Sequence, residues 1–364
     1  MNYRGNFDYE ATRFRQEEAS DDCYYDYIYR YNAYQREIRR KKIRKSRIKA
    51  FLFFLIFEMF FTAITLPIMM FYGPFNNVKR IIVGASMNTL RHQYIAKLFL
   101  TDDAIYKILG NDITLEDHSS DPALSLDDKV FVHDDKLEIY NISGKSYAGK
   151  LMIIYNPSKV VLGYSGSMPQ AGETVRTIAQ KAGAVAAINA GGFVDQQWTG
   201  TGGKPMGFIM HDYNIIFNDK SENEKQDAIG LTSAGKLVVG KYSVKQLKLM
   251  DIKEGVSFGP PLVVDGKSVI KGGDGGWGIA PRTAIGQRKK DGAILFLTID
   301  GRQIHSFGAT LRDVQDIMLK YGAYTAVNLD GGSSSTMYYN GKVVNSPSDA
   351  LGERAVPSAF MYVP

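Results

Sequence analysis

The chain has 364 residues, a net charge of +6 and a single cysteine. Residues 1–49 hold 13 Lys+Arg against 8 Asp+Glu, a net of +5, which leaves +1 for everything after them. The basic balance therefore belongs to a tail and argues against a nucleic-acid-binding domain. Because the one thiol, Cys23, also lies in that tail, the rest of the chain has no disulfide or thiolate chemistry.

In chain order, the tail carries tyrosines at 3, 9, 24, 25, 27, 29, 31 and 34. It reads as a low-complexity segment, or alternatively as a cytoplasmic docking or phosphorylation segment. Residues 50–72, AFLFFLIFEMFFTAITLPIMMFY, predict one transmembrane helix, since a predominantly apolar helix of that length crosses roughly 30 Å of hydrocarbon. Glu58 and Pro67 are its two irregularities. Nine Lys/Arg between Arg36 and Lys49 precede the span, so the positive-inside rule keeps the N-terminus cytoplasmic and places everything from about residue 76 outside the cell membrane. Residues 73–134 read as stalk and linker. Leu90, Tyr94, Leu98, Ile105 and Ile108 suggest an amphipathic stalk helix over 86–109, and residues 111–135 are rich in Asp and Ser. His92 and His118 stand alone, with no second ligand at metal-site spacing.

Residues 135–364 form the expected catalytic domain. Short apolar runs at 151–155, 184–188, 207–210, 214–217, 236–239, 261–264, 294–299 and 324–329, punctuated by glycine, predict an α+β fold: a β-rich, mixed-sheet domain with few helices. Helices are expected at 172–182 and 310–321. In the second, Leu311, Val314, Met318 and Leu319 share one face. Neither a Walker motif nor a dinucleotide fingerprint follows a strand.

Four segments stand out. AVNLDGGSSSTM at 326–337 runs an apolar strand into Asp330, two glycines and three serines; AVAAINAGGF at 184–193 ends a second strand in Asn189 and paired glycines. GGDGGWGIAPRTAIG at 272–286 and ILFLTIDGR at 294–302 add two arginines and a second strand-end carboxylate. Glycine turns let a backbone approach a ligand closely, and serines supply hydroxyl donors, although Asp-Gly-Gly is equally an ordinary turn.

The order INxGxF, APRTAIG, a strand closing in DGR, a helix, then NLDGGxSS resembles the phosphodiester glycosidase family over roughly residues 135–364. The resemblance implies hydrolysis of a sugar 1-phosphodiester through an oxocarbenium-like transition state, which needs a carboxylate at C1. Asp330 is the first candidate, Asp300 the second and Glu173, also readable as a helix-terminus acid, the third. The leaving phosphate is weakly basic, so holding it matters more than protonating it. Arg282 and Arg302 are the candidates for that role, with structural ion pairs as the other reading. The Gly191-Gly192 and Gly331-Gly332 turns offer possible anion nests, and Ser333 and Ser334 offer donors. Asn189 is expected to read sugar hydroxyls, Trp277 and Phe193 to stack on a pyranose or plug the core, and His305 to shuttle a proton or lie in a loop. The family motifs also carry over Thr283, Gly301 and Asn328. Ser333 replaces a third glycine common in the family, which puts the same sugar in doubt.

No cofactor and no metal are implied. The partners expected are a carbohydrate-phosphate substrate, such as a wall polymer or exopolysaccharide of a Gram-positive envelope, and the membrane through one N-terminal helix. The competing reading is a non-catalytic module that binds anionic wall polymer or assists exopolysaccharide assembly. The topology is testable: protease added to wall-stripped intact cells is expected to remove the C-terminal domain and spare the tail, and protection of that domain refutes the orientation.

Overall fold

The computed structural model describes residues 21–87, 93–110, 131–194, 201–349 and 351–364. They belong to two units, Met1–Pro74 and Phe75–Pro364.

The first unit is one helix, α1 (Asp21–Tyr72). At 1.5 Å per residue it is about 78 Å long. The predicted span is its C-terminal part, and it passes the length and composition test for crossing a membrane. From residue 21 the basic tail is helical as well, with i,i+4 pairs Arg30–Asp26 at 2.9 Å and Lys41–Glu37 at 2.6 Å on its exposed surface. Tyr3 and Tyr9 lie outside the described residues.

In the second unit, the expected stalk is three short helices rather than one: α2 (Asn76–Met87), α3 (Gln93–Lys97) and α4 (Asp102–Gly110). Leu90, His92, His118 and most of the linker lie outside the described residues. The segment is folded against the glycine-rich loop: Arg80 Nε stands 3.5 Å from Asp274, and a Cβ on Gly84 would lie 3.1 Å from the Gly278 nitrogen.

The remainder is strand-rich. The first elements are β1 (Leu137–Ser143), β2 (Ala148–Ile154), β3 (Val160–Tyr164), β4 (Glu173–Thr174), α5 (Val175–Lys181) and β5 (Ala186–Asn189). Then come β6 (Phe208–His211), β7 (Asn214–Asn218), β8 (Gln226–Thr232), β9 (Leu237–Tyr242), α6 (Val244–Leu249) and β10 (Ile252–Val256). The sequence continues with β11 (Pro261–Val264), β12 (Lys267–Ser268), β13 (Arg282–Arg288), β14 (Ile294–Ile299), α7 (Leu311–Lys320) and β15 (Ala323–Leu329). It closes with β16 (Met337–Tyr339), β17 (Lys342–Val343), β18 (Ala355–Val356) and β19 (Ser358–Tyr362).

Three sheets result, ordered β1-β2-β14-β13-β15-β11-β12, β7-β6-β10-β8-β9 and β17-β16-β5-β19-β3, with a β18-β4 ribbon beside them. The β-rich α+β expectation holds. Pairing among the described strands is antiparallel throughout, so the sheets themselves are not mixed.

The inner faces of all three sheets meet in one core, where Phe296, Ile285 and Leu329 from the first sheet join Ile229 and Val239 from the second and Ile188 and Phe360 from the third. Each outer face is covered by a helix: α7 on the first sheet, α6 on the second and α5 on the third. Central strands are thus buried on both sides, which is why they read as continuous apolar runs rather than alternating ones. Thr310 and Asp313 form a capping box that starts α7, and Ser243 and Gln246 do the same for α6.

This packing places the strand ends. β14 and β15 both pair with β13, with Arg282 opposite Ile299 and Thr283 opposite Leu329, so Asp300 and Asp330 leave the same edge of the sheet on either side of β13. Phe360 is fully buried at the centre of the common core. Phe360→Ala is expected to cost about 3–5 kcal/mol, read as a lowered urea midpoint with little change in slope.

Candidate functional site

The site begins with Asn189, the last residue of β5, which is completely buried. Its side-chain nitrogen donates to the Asp330 carbonyl at 2.6 Å, and its oxygen accepts from the Thr283 hydroxyl at 2.9 Å and the Thr336 N–H at 3.1 Å. One amide thus ties β5 to the start of β13 and the end of β15. Thr283 and Asn328 are buried in the same way. Asn328 donates to the Gly259 carbonyl at 3.1 Å, so the sugar-reading role of Asn189 and a ligand role for these two give way to strand fixation.

Beyond this tie the chain turns sharply. Gly331 passes close to Pro281, whose carbonyl would lie 2.8 Å from a Cβ there, and Gly332 takes φ +60°, the left-handed region that favours glycine. The Gly332 N–H is used by the Pro281 carbonyl at 2.9 Å, and the Gly191 N–H by the Ser358 hydroxyl at 3.2 Å; neither is left for an anion nest. Gly192 packs against Phe258, its Cβ position 2.8 Å from that ring.

Asp330 faces into the turn. Burial pushes its carboxyl up to about 6, against the opposing effects of the Ser334 hydroxyl, the Arg354 charge and the Gly331 N–H. The Arg354 charge acts on it directly, and Arg302 and Arg282 continue the positive cluster beyond Arg354. Arg302, itself at φ 59°, lies beside the turn: a Cβ on Gly332 would be 3.4 Å from its Nη2. Burial and then the neighbouring Arg354 charge lower its pKa. Arg354 donates from Nη1 to the Ser333 hydroxyl at 2.9 Å and lies 5.0 Å over the Phe193 ring. Arg282 is buried, and desolvation first, then Arg302, bring its pKa down to about 10. Two of its nitrogens are committed: Nε to the Ala309 carbonyl at 3.1 Å, and Nη2 to the Trp277 and Gly278 carbonyls at 2.8 and 2.7 Å. Arg282 therefore anchors the glycine-rich loop and reaches the anion site only through its charge and its remaining nitrogen.

The other candidates fall elsewhere. Asp300 is buried, and its Oδ1 accepts from Asn345 Nδ2 at 3.0 Å and the Ser346 N–H at 2.9 Å. Burial raises its pKa and these bonds oppose the rise. Two inter-strand spacings, roughly 9–10 Å, separate the ends of the strands that carry Asp300 and Asp330, and the Asp300 carboxylate is turned to the 345–346 loop. One oxygen of the Asp300 carboxylate is thus committed to that loop. Glu173 lies on the β18-β4 ribbon in an ion pair with Lys181 at 2.7 Å, while Thr174 caps α5, so a catalytic part for Glu173 has no geometric support. Gly301 gives the DGR turn its close packing against Pro281. His305 is exposed at that turn, a surface loop residue. Trp277 is half-buried, 5.8 Å from the Arg282 guanidinium and edge-on to Phe258 at 6.4 Å. Phe193 packs on the core formed with α5. Ser334 reaches Asp330, and Ser333 holds Arg354.

Arg354 was not among the sequence candidates. It lies in GERAVPS, which carries no motif, and only the fold brings it over the turn. Thr336 and Asn345 were missed for the same reason. Among the described residues no group of three His, Cys, Asp or Glu is placed to hold a metal ion.

The fold is a β-rich domain with a desolvated carboxyl and neighbouring arginines at one sheet edge. The phosphodiester glycosidase family model matches residues 182–363, half of the chain, and the chain belongs to that family. It is similar to the SPbeta prophage-derived uncharacterized protein YomE of Bacillus subtilis (strain 168), 35% identical over 199 residues, covering 50% of this chain and 28% of that protein. It is also similar to the N-acetylglucosamine-1-phosphodiester alpha-N-acetylglucosaminidase of Bos taurus, 39% identical over 71 residues, 20% of this chain and 13% of that one. The chain thus spans less than a third of the length of these relatives. In fold it matches the zebrafish N-acetylglucosamine-1-phosphodiester alpha-N-acetylglucosaminidase catalytic domain, auto-inhibited by pro-peptide, with TM-score 0.52, 24% identity, and 63% and 82% of the two chains covered.

The different duties of the arginines are testable. Arg282→Ala strands the Trp277 and Gly278 carbonyls of the glycine-rich loop, and each buried group left unsatisfied costs roughly 1–3 kcal/mol. Its melting temperature is expected to fall by several degrees. Arg302→Ala, at the accessible rim, is expected to melt within about a degree of the parent.

Proposed function

We propose that this protein hydrolyses a sugar 1-phosphodiester, releasing the sugar and a phosphomonoester. The observation that carries the proposal is the chain of neighbouring guanidiniums, Arg354, Arg302 and the Arg282 charge, that begins beside the desolvated carboxyl of Asp330. Burial and then the Arg354 charge lower the pKa of Arg302, burial and the Arg302 charge lower that of Arg282, and such neighbouring guanidiniums are stabilised by a bound anion whose oxygens suit their forks.

In this reading the arginines hold the phosphodiester with the anomeric carbon toward Asp330. The carboxylate either activates a water or attacks C1 as the bond from C1 to the phosphate oxygen breaks, and its negative charge stabilises the oxocarbenium-like transition state. The departing electron pair goes to a phosphate oxygen that the guanidiniums already neutralise, so little proton donation is required. Ser334 and the Gly331 N–H orient the carboxylate, and Asn189 fixes its backbone. Asp300 acts at a distance, holding the 345–346 loop that closes the site.

The surroundings of this activity follow from α1. With nine basic residues before its apolar part, the helix serves as a single-pass anchor with the second unit outside the cell, and the substrate is a glycosyl-phosphate linkage of an envelope polymer or exopolysaccharide.

Asp330→Asn removes the charge and keeps the shape. Hydrolysis of a glycosyl 1-phosphodiester is expected to fall at least about a hundredfold. Retention of more than about a tenth of the activity removes Asp330 from the catalytic role. The raised pKa of Asp330 also fixes the pH dependence: kcat/KM for the parent is expected to decline as pH drops through about 6, where the carboxylate takes up its proton. The sign for stability is the opposite of the usual carboxylate case. Since the folded pKa lies above the ordinary value of 3.8, the parent loses stability as pH rises between 3.8 and about 6 and stays lower above it. The Asn variant lacks this loss, so at pH 8 it is expected to melt no lower than the parent. Arg302→Ala or Arg354→Ala is expected to raise KM for the phosphodiester far more than for a neutral aryl glycoside; equal effects on both substrates remove the phosphate-binding role.

A further inference from the structure

A cleft of about 590 Å³ is bounded by the segment joining β7 to β8, the start of β8, the chain just after β10 and the glycine-rich loop. That volume is in the range of small-ligand sites. Phe258, Pro260, Pro261, Val269 and Trp277 give it an apolar floor, and Lys220, Lys225 and Lys241 stand at its wall with one carboxylate, Asp227. Lys220 also pairs with Glu224 at 2.9 Å, and Lys241 lies opposite Asp227 in the β8-β9 register.

Three contacts join the cleft to the site. The Gly259 carbonyl in its wall accepts from the side chain of Asn328, two residues before Asp330. The Phe258 ring abuts Gly192, which precedes the Phe193 that Arg354 covers. The Trp277 carbonyl accepts from Arg282. The walls of the cleft thus touch residues that frame the arginine-lined turn, and it combines aromatic surface with a net positive lining.

We infer that this cleft binds the continuation of the substrate beyond the cleaved linkage, and that the continuation is a glycan carrying a further phosphodiester or other acid group. A single sugar phosphate satisfies the arginines alone. A lysine wall around an aromatic floor matches a chain in which sugar faces alternate with negative charges: the rings stack on Trp277 and Phe258 while the acid meets the lysines. The protein would then act on polyanionic polymers in preference to isolated glycosyl phosphates. This rests on the proposed hydrolysis, but the cleft can be tested without it.

The test uses the full chain and two readouts. The first is the ratio of kcat/KM for a three-repeat glycosyl-phosphodiester oligomer to that for its single-linkage methyl ester. The parent is expected to favour the oligomer at least tenfold, and Lys225→Glu to lose most of that preference. The second is calorimetric binding of poly(glycerol phosphate), which has no glycosyl-phosphate bond to cleave. It is expected to bind the parent, to weaken with added salt and to bind Lys225→Glu at least fivefold less tightly. Equal ratios for parent and variant, together with no difference in polymer binding at unchanged melting temperature, overturn the inference. Binding of the polymer without turnover of any glycosyl phosphodiester supports the cleft and overturns the hydrolytic reading instead.

Discussion

Everything at the reactive edge depends on one buried amide. The Asn189 side chain makes three hydrogen bonds to three different segments, and they set the height of the Asp330 backbone against the first strand of each neighbouring element. An amide suits the position because it offers a donor and an acceptor on a short, stiff stem, and only one of its partners is a hydroxyl that can turn to suit. In a dry environment each of these bonds is stronger than in water and each is costly to lose. Besides the Asp330 N–H to Ala190 carbonyl bond at 3.0 Å, the sheet containing β5 and the sheet containing β13 and β15 meet through apolar packing, which is not directional. The amide supplies the direction, and the tight Gly331 turn can then be held without a ligand.

The electrostatic arrangement follows from that rigidity. Guanidiniums normally sit beside carboxylates that neutralise them; here Asp274 acts on Arg282, while Asp300 is bonded to a loop and Glu353 pairs with Arg176 at 2.8 Å. Asp330 feels the Arg354 charge, but burial makes its ionisation costly. A region with surplus positive charge and a reluctant anion is electrostatically unfinished. It is completed by a ligand that brings negative charge, and the same surplus would stabilise charge accumulating on a leaving phosphate.

Much of the fold was legible in the sequence because its strands are buried on two faces. ILFLTI at 294–299 is the clearest case, and β14 has those bounds. Apolar β3 and β19 lie outside the expected runs, as does one strand with polar residues inside that shows why. β13, RTAIGQR, is buried along its whole length, but its arginines and glutamine interrupt the apolar run. Gln287 is satisfied by the Gly235 and Gly292 carbonyls and the Leu237 N–H, partners that do not exist until the sheets have met. The stalk failed for a related reason: helical periodicity in 86–109 marked an amphipathic surface without showing that the surface would break into short helices. At the site, motif residues could be recognised as a group but not sorted by duty. An asparagine that reads a sugar and one that ties strands are the same letter, and an arginine bound to carbonyls looks like one awaiting phosphate. Arg354 had no local signal at all, since its importance lies in a contact with Ser333 across a turn it does not adjoin in sequence.

The position of β19 has a consequence for how the protein comes into being. This strand lies between β3 and β5, which precede it by roughly 170 to 200 residues, and its first residue, Ser358, also bonds to Ala190 and Gly191 beside the site. Until it arrives, two strands keep open edges, the kind of surface on which chains pair with one another. Closing so long a loop is slow, and the contacts that reward closure come late. A nascent chain would therefore pass through an interval of vulnerability to aggregation in which it has most of its mass and none of its chemistry. The same insertion that ends the vulnerability sets Gly191 in place, so competence for binding and protection from misassembly arise in a single step.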